Sequence, residues 1–316
     1  MNNYYVSSIG GDISQSVISI IRDSFPRAVI FGSDRDNQNS GFEEIDKFEI
    51  SPDASSLDYI SWLESFLLRN EIDTFIPINE RELEALATLT DSELNKILGR
   101  TTLIWSGSES VKLFGSKLAT SNFLTGLDVY VPRVFDGSFE ISDSDFPVVV
   151  KPEKGAGSRN IFICNNRAEV NAAQVILPNC IIQKYIGGPE NEFTAGVFRD
   201  ESGETRVIVF QRKLSGGATG WAKVVSSSEL ERICARVAEA INLKGSINIQ
   251  FRMVSDEPCV FEINGRFSST IMIRHLLGFK DLLWSLGVMS GFDEFTSRDV
   301  ENFIGYKMNA FFVRNA

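Results

Sequence analysis

Histidine is nearly missing from this chain: among 316 residues only His275 is present, so a Ser-His-Asp triad or a histidine-bound zinc would have to be built on that one side chain. Its neighbours Ile273, Leu276 and Leu277 mark an ordinary helical setting, which argues against histidine chemistry. Cysteine is scarce too. Cys164, Cys180, Cys234 and Cys259 form no CxxC pair and sit in apolar runs, the pattern of reduced, buried thiols, and a cytoplasmic location is expected. Cations are in deficit, 31 Lys and Arg against 42 Asp and Glu for a net charge of −11. Such a surface repels a phosphate backbone, so no nucleic-acid partner is expected. No apolar run approaches the roughly 20 residues of a membrane span, and the N-terminal MNNYYVSSIGG lacks a cationic n-region and an h-region, so neither insertion nor export is expected.

What is present is ordinary globular material. The AVILMFWYC set makes up 43% of the chain and charged residues 23%, enough to bury a large core, and the length favours two or three packed units. There is no fixed-period repeat and no low-complexity segment. Residues 4–9 predict a strand, broken by Gly10-Gly11-Asp12, after which Ile13, Val17, Ile18, Ile20 and Ile21 recur at helical spacing. A strand at 27–32, a helix at 57–70 with Leu57, Ile60, Leu63, Phe66 and Leu67 on one face, and a strand at 73–78 continue the alternation. That pattern implies a parallel sheet with its ligand crevice at the carboxyl ends of the strands. Gly10-Gly11 reads more readily as a tight turn than as a phosphate loop, because GxGxxG is absent. Asn79-Glu80-Arg81-Glu82 either touches a substrate at the crevice or caps the helix carrying Leu83, Leu86 and Leu89.

After Gly107 the pattern changes. A helix is predicted over 110–124, then β runs at 129–135, 146–151, 180–186, 193–198, 206–213 and 223–226, a helix at 229–241, and strands at 246–254 and 258–263; runs of strands with few helices indicate antiparallel α+β. Within this half, residues 148–162 join two β runs through a turn holding Gly155, Gly157 and further cations. The glycines let backbone N–H groups approach an anion, and Lys151 at the end of an apolar strand can set an ammonium on a phosphate; a plain hairpin is the alternative. Gln250, Glu262 and Asn264 lie on two adjacent β runs, with Glu262 and Asn264 on one face of their strand. Their oxygens suit Mg²⁺ if a nucleotide supplies the remaining ligands, and Arg266 could then stabilise charge on a transferred group. Polar residues ending a strand are the alternative.

Taken in order, Lys117, Lys151-Pro152, the 155–158 loop, Ile182-Gln183-Lys184-Tyr185-Ile186, Glu192-Phe193-Thr194, residues 247–251 and Phe261-Glu262-Ile263-Asn264-Gly265-Arg266 resemble the ATP-grasp superfamily, most closely its carbamoyl-phosphate synthetase-like branch. The resemblance implies an α/β plus α+β chain: a Rossmann-like pre-ATP-grasp domain at 1–110, a small ATP-grasp lobe at 111–186 and a large lobe with the metal site at 187–316. It puts Lys117 and Lys151 on nucleotide phosphates under a flap that includes Glu153, Gly155, Gly157 and Ser158. Gln183, Lys184, Tyr185 and Ile186 hold adenine, and Glu192 holds the ribose, with Glu190 as a rival. Gln250, Glu262 and Asn264 hold Mg²⁺ or Mn²⁺, and Arg266 acts with Lys151 in catalysis. Two departures are visible: Gly265 stands where proline is usual, and Gln183 where glutamate is common. Residues 212–221 look like an acceptor-side loop whose cations meet a carboxylate, or a flexible hairpin. Phe267-Ser268-Ser269-Thr270 either meets the substrate or caps the next helix.

The resemblance implies an ATP-dependent carboxylate–amine ligase working through an acyl phosphate, with ATP as nucleotide and a small carboxylate and an amine as substrates. The alternatives are a bicarbonate-activating subunit, a kinase and a non-catalytic nucleotide-binding module. Relatives are often dimers, and 24 phenylalanines leave aromatic surface for an interface.

Overall fold

The structure, a computed structural model, describes residues 2–38, 40–135, 141–155 and 160–306. The first part of the chain runs β1 (Asn3–Ser7), α1 (Asp12–Ser24), β2 (Val29–Asp34), β3 (Lys47–Ile50), α2 (Tyr59–Arg69), β4 (Thr74–Ile76), α3 (Glu80–Ala87), α4 (Asp91–Leu98) and β5 (Thr102–Leu103). All five strands are parallel, in the order β3-β2-β1-β4-β5. Alternation along β1 covers both faces: Tyr4 and Val6 pack on Val17, Ile18 and Ile21 of α1, while Tyr5 packs with Phe31 and Phe75 on Leu63 and Phe66 of α2. Strand β3 was not expected, because its four residues are too short to show a period. Leu57 is fully exposed and lies outside α2, which starts at the buried Tyr59. The Gly10-Gly11 turn is closed by protein groups, since Gly10 N donates to Asp34 Oδ2 at 2.9 Å. A carboxylate already fills the place a phosphate would need.

The helix predicted over 110–124 is two helices, α5 (Ser108–Gly115) and α6 (Lys117–Gly126). Ser116 adopts an extended conformation between them, and its Oγ accepts from Ala119 N to cap α6. The break sets Lys117 at the first residue of α6. A three-stranded antiparallel sheet follows, ordered β7-β6-β8, from β6 (Val148–Pro152), β7 (Phe162–Cys164) and β8 (Cys180–Lys184), with α7 (Arg167–Ile176) between β7 and β8. Residues 129–135 form no strand. Their hydrogen bonds are split between two sheets, Phe135 N to Ile182 O on one side and Val260 N to Tyr130 O on the other.

The largest sheet is antiparallel, ordered β13-β12-β9-β10-β11-β14. It is built from β9 (Glu192–Arg199), β10 (Thr205–Ser215), β11 (Ala218–Val224), β12 (Gly245–Val254), β13 (Glu257–Asn264) and β14 (Ile304–Tyr306), with α8 (Ser228–Ala240) between β11 and β12, then α9 (Ile271–Leu276) and α10 (Asp281–Ser285). Strand β11 begins five residues before the expected 223, because Gly216 and Gly217, both at positive φ, close a two-residue hairpin directly onto it. Period two divides the sheet. Ala195, Val197, Ile247, Ile249 and Ile263 pack on α8 with Leu230, Ile233 and Val237, which sends Thr194, Asn248, Gln250, Glu262 and Asn264 to the opposite face. At the far end of that face Phe198, Ile208 and Phe210 meet Phe279, Trp284 and Phe292.

Candidate active site

The polar end of the large sheet faces the small sheet across a cleft of about 420 Å³. On the small-sheet side, Val148 and Val150 point into the core, so Val149 and Lys151 point into the cleft. Lys151 is 8% exposed. Burial lowers its amine from the usual 10.5 to about 8, with Glu262 opposing that fall and Lys117 and Arg252 adding to it. Lys117 is likewise lowered by burial, against the pull of Glu262 and Glu80. Its Nζ donates to Gly155 O at 2.7 Å and to Glu153 O at 3.4 Å. Gly155 sits at φ +97, a conformation natural only to glycine. Gly157 and Ser158 lie outside the described residues.

Several expected residues face elsewhere. Glu153 was expected in the flap over the phosphates, but its carboxylate accepts from Ser116 Oγ at 2.5 Å and Leu118 N at 3.4 Å, capping α6. Lys184 Nζ donates to Asp145 O at 2.5 Å, while Lys184 N and Tyr185 N bond to Arg133 O and Pro147 O. Gln183 is buried at the edge of the cleft, with Lys184, Tyr185 and Ile186 along its wall. Glu192 differs most from expectation as a ribose ligand, because both of its oxygens are taken. Arg212 Nε and Nη2 donate to Oε1 at 2.9 and 2.6 Å, and Arg252 Nη2 donates to Oε2 at 2.8 Å. Arg212 is thus buried in the floor, not presented on an acceptor loop. Residues 212–215 and 218–221 belong to β10 and β11.

Of the expected metal ligands, Gln250 and Glu262 are cross-strand partners on β12 and β13, as are Asn248 and Asn264. Gln250 Oε1 accepts from Arg212 Nη2 at 2.7 Å. Glu262 and Asn264 make no side-chain hydrogen bond or ion pair among the described residues. Glu262 lines the cleft and also an adjoining chamber shared with Glu80, Lys117, Asn264 and Arg266. Among the described residues no three His, Cys, Asp or Glu side chains converge, so a cation held here depends on the amide of Asn264 and on oxygens brought by a ligand. Two neighbouring oxygens without protein donors, facing two lysines, fit that arrangement.

Arg266 is held from the first sheet. Its Nη2 and Nε donate to Glu80 Oε1 at 2.6 and 3.1 Å, and its Nη1 to Phe267 O at 2.9 Å. Ser106 Oγ donates to Gly265 O at 2.8 Å, fixing the backbone where proline was expected. Glu80 therefore faces this chamber, whereas Glu82 is buried behind it, accepting from Ser7 and Tyr59. The loop after Gly265 is fixed as well: Thr219 N donates to Ser269 Oγ at 3.0 Å, and Arg274 Nη1 donates to Ser268 Oγ and Thr270 Oγ1. Sequence reasoning missed Arg252 and Ser106. Arg212 could have been placed, since it lies in phase with the buried Ile208 and Phe210.

Residues 177–303 match the family model described as ATP-grasp in the biosynthetic pathway with Ter operon. The chain is 28% identical over 174 residues to a D-alanine–D-alanine ligase of Fusobacterium nucleatum, covering 50% of this chain and 57% of that one. It is 27% identical over 201 residues to the carbamoyl phosphate synthase large chain of Thermoanaerobacter pseudethanolicus, covering 56% and 18%. The match spans less than two thirds of either relative. Among solved structures it superimposes on an L-amino acid ligase from Bacillus licheniformis with a TM-score of 0.71 at 14% identity, over 96% of this chain and 78% of that one. The biotin carboxylase domain of Hydrogenobacter thermophilus 2-oxoglutarate carboxylase, crystallised with MgADP and bicarbonate, gives 0.71 at 13% identity, over 95% and 73%. At these identities the likeness is one of fold. The chain is therefore similar in sequence to an ATP-grasp family over residues 177–303, and similar in fold to an L-amino acid ligase and a biotin carboxylase domain over nearly its whole length.

Proposed function

We propose that the protein is an ATP-dependent carboxylate–amine ligase that releases ADP and phosphate. The observation that carries this reading is the pairing, across one cleft, of the buried amine of Lys151 and the partly buried amine of Lys117 with the unbonded oxygens of Glu262 and Asn264. Two desolvated cations are costly in an empty protein and suit a triphosphate. On this reading residues 1–110 form a Rossmann-like domain, 111–186 the small lobe and 187–316 the large lobe. Adenine lies between Val149 and Ile163 on one side and Phe261 on the other, with Gln183 and the main chain at 184–186 along its edge. Glu190, which is exposed beside Pro189, takes the ribose, and Glu192 orients Arg212 and Arg252. Glu262 and Asn264 hold Mg²⁺ or Mn²⁺, which would neutralise charge on the triphosphate.

The chemistry needs positioning and charge neutralisation, without a protein nucleophile. A carboxylate oxygen of the substrate attacks the γ-phosphorus and ADP leaves. The amine lone pair then attacks the acyl carbon, phosphate departs, and the nitrogen loses a proton. Arg266, aimed by Glu80, faces the chamber next to Glu262 and stabilises charge on the acyl phosphate and on the oxyanion that follows. The substrates are a small carboxylate and an amine, and a homodimer is compatible with this site. A pooled-carboxylate screen with Mg-ATP and hydroxylamine tests the reading: ADP release together with a hydroxamate is expected. A phosphorylated product stable to hydroxylamine would make the protein a kinase, and turnover with bicarbonate alone would make it a carboxyphosphate-forming enzyme.

A further inference from the structure

The oxygens on the polar face of the large sheet are unequally free. Glu192 is spent on two guanidiniums, one of which, Arg212, also donates to Gln250 Oε1 at 2.7 Å. Arg212 has little freedom to leave. Its side chain is 7% exposed, it shares Glu192 with Arg252, and Arg252 is itself fixed by donating to Gly187 O at 2.6 Å and by stacking over the Phe261 ring at 5.0 Å. Swinging Arg212 away would leave Oε1 of the buried Glu192 without its donors. A guanidinium also keeps its charge at every accessible pH, so the Gln250 oxygen faces a permanent cation. A divalent ion on that same oxygen would sit against the guanidinium in a poorly solvated floor, where like charges repel strongly. Glu262 and Asn264, by contrast, carry no protein donor among the described residues.

We propose that this site takes a single divalent cation, on Glu262 and Asn264, and that Arg212 supplies from the protein itself the positive charge on the Gln250 side of the bound phosphates. The inference rests on the nucleotide-binding reading above and narrows it, removing Gln250 from the metal ligands. It predicts a site whose second charge is not lost when the metal concentration falls.

The test is a count of Mn²⁺ by electron paramagnetic resonance on the full chain. The non-hydrolysable ATP analogue AMPPCP is held below the protein concentration so that all of it is bound. One Mn²⁺ per bound nucleotide is expected for wild type and for Arg212→Lys, which keeps the charge. Arg212→Met is expected to take two, because it frees oxygens of Gln250 and Glu192 side by side. Two ions in wild type would overturn the inference, as would a single ion in an Arg212→Met protein that melts cooperatively. Should that variant not fold, the wild-type and Arg212→Lys counts decide. Failure of wild type to bind AMPPCP would remove the nucleotide reading together with this inference, whereas tight AMPPCP binding with two ions would overturn this inference alone.

Discussion

Lys151→Met should make the empty protein more stable while weakening its hold on a triphosphate. In the folded chain the amine is 8% exposed, and burial brings it from 10.5 to about 8. At roughly 1.4 kcal/mol for each pH unit, that difference corresponds to about 3 kcal/mol lost in keeping the ammonium charged inside the protein. Because the folded value lies below the unfolded one, the unfolded chain holds the extra proton between pH 8 and 10.5. The penalty is therefore complete below pH 8 and disappears as the pH rises to 10.5. Methionine keeps the length of the stem without the charge, so a gain of about 1–3 kcal/mol is expected at pH 7. The same change removes a charge-assisted contact to phosphate worth about 1.5–3 kcal/mol, a loss of roughly 10- to 150-fold in affinity. Urea unfolding followed by tryptophan fluorescence at pH 7 and pH 10, with calorimetric titration of Mg-AMPPNP, reads both effects. A variant less stable than wild type at pH 7, or a stability gap that does not shrink by pH 10, would refute the reasoning.

Three further outcomes are expected. Glu82 is 4% exposed and burial raises its carboxyl to about 7; its stabilising contribution is complete below pH 4.5 and lost as the pH rises through 7, so Glu82→Gln should exceed wild type in stability at pH 8 and match it near pH 4.5 in urea titrations. Arg274 is fully buried and donates to Asp281 through Nε at 3.0 Å and Nη2 at 2.5 Å; Asp281→Ala strands the guanidinium and should cost about 3–5 kcal/mol, most of it recovered when Asp281→Leu is combined with Arg274→Met. Glu262→Ala should slow ADP release more than tenfold, a barrier rise above about 1.4 kcal/mol, in the assay that the hydroxylamine screen establishes; a smaller change would remove Glu262 from the metal site.

Much of the architecture was legible because it follows from periods that survive in one dimension. The alternation of Tyr4, Tyr5 and Val6 and the helical repeat of Val17, Ile18 and Ile21 each specify a local geometry with little help from elsewhere. Lys151 at the end of an apolar strand, and Glu262 and Asn264 two apart on one strand, were legible for the same reason, whereas Gln183 was marked only by the family resemblance. Sequence failed where a competing long-range contact decides. Ser116 breaks a helix that propensity would continue, because its hydroxyl caps the second segment and binds Glu153. Residues 129–135 are β-prone yet form no strand, since their backbone serves two sheets.

The site shows the same division more sharply. Residue type and order by themselves put Glu262 and Asn264 on one face of their strand, because side chains alternate along it, and the family resemblance in that order implied that Lys117, Lys151 and Gln250 would join them. They could not determine which of those oxygens is free. Glu192 and Gln250 are chemically suited to a ligand, yet the arginines of β10 and β12 occupy them, and only the packing of three strands brings those charges within hydrogen-bonding distance. Nor could order alone pair Arg266 with Glu80, 186 residues away in sequence. Electrostatic partners are chosen by distance in a poorly solvated interior, where a few ångströms decide whether a charge is spent or available, and that distance exists only once the sheets have packed.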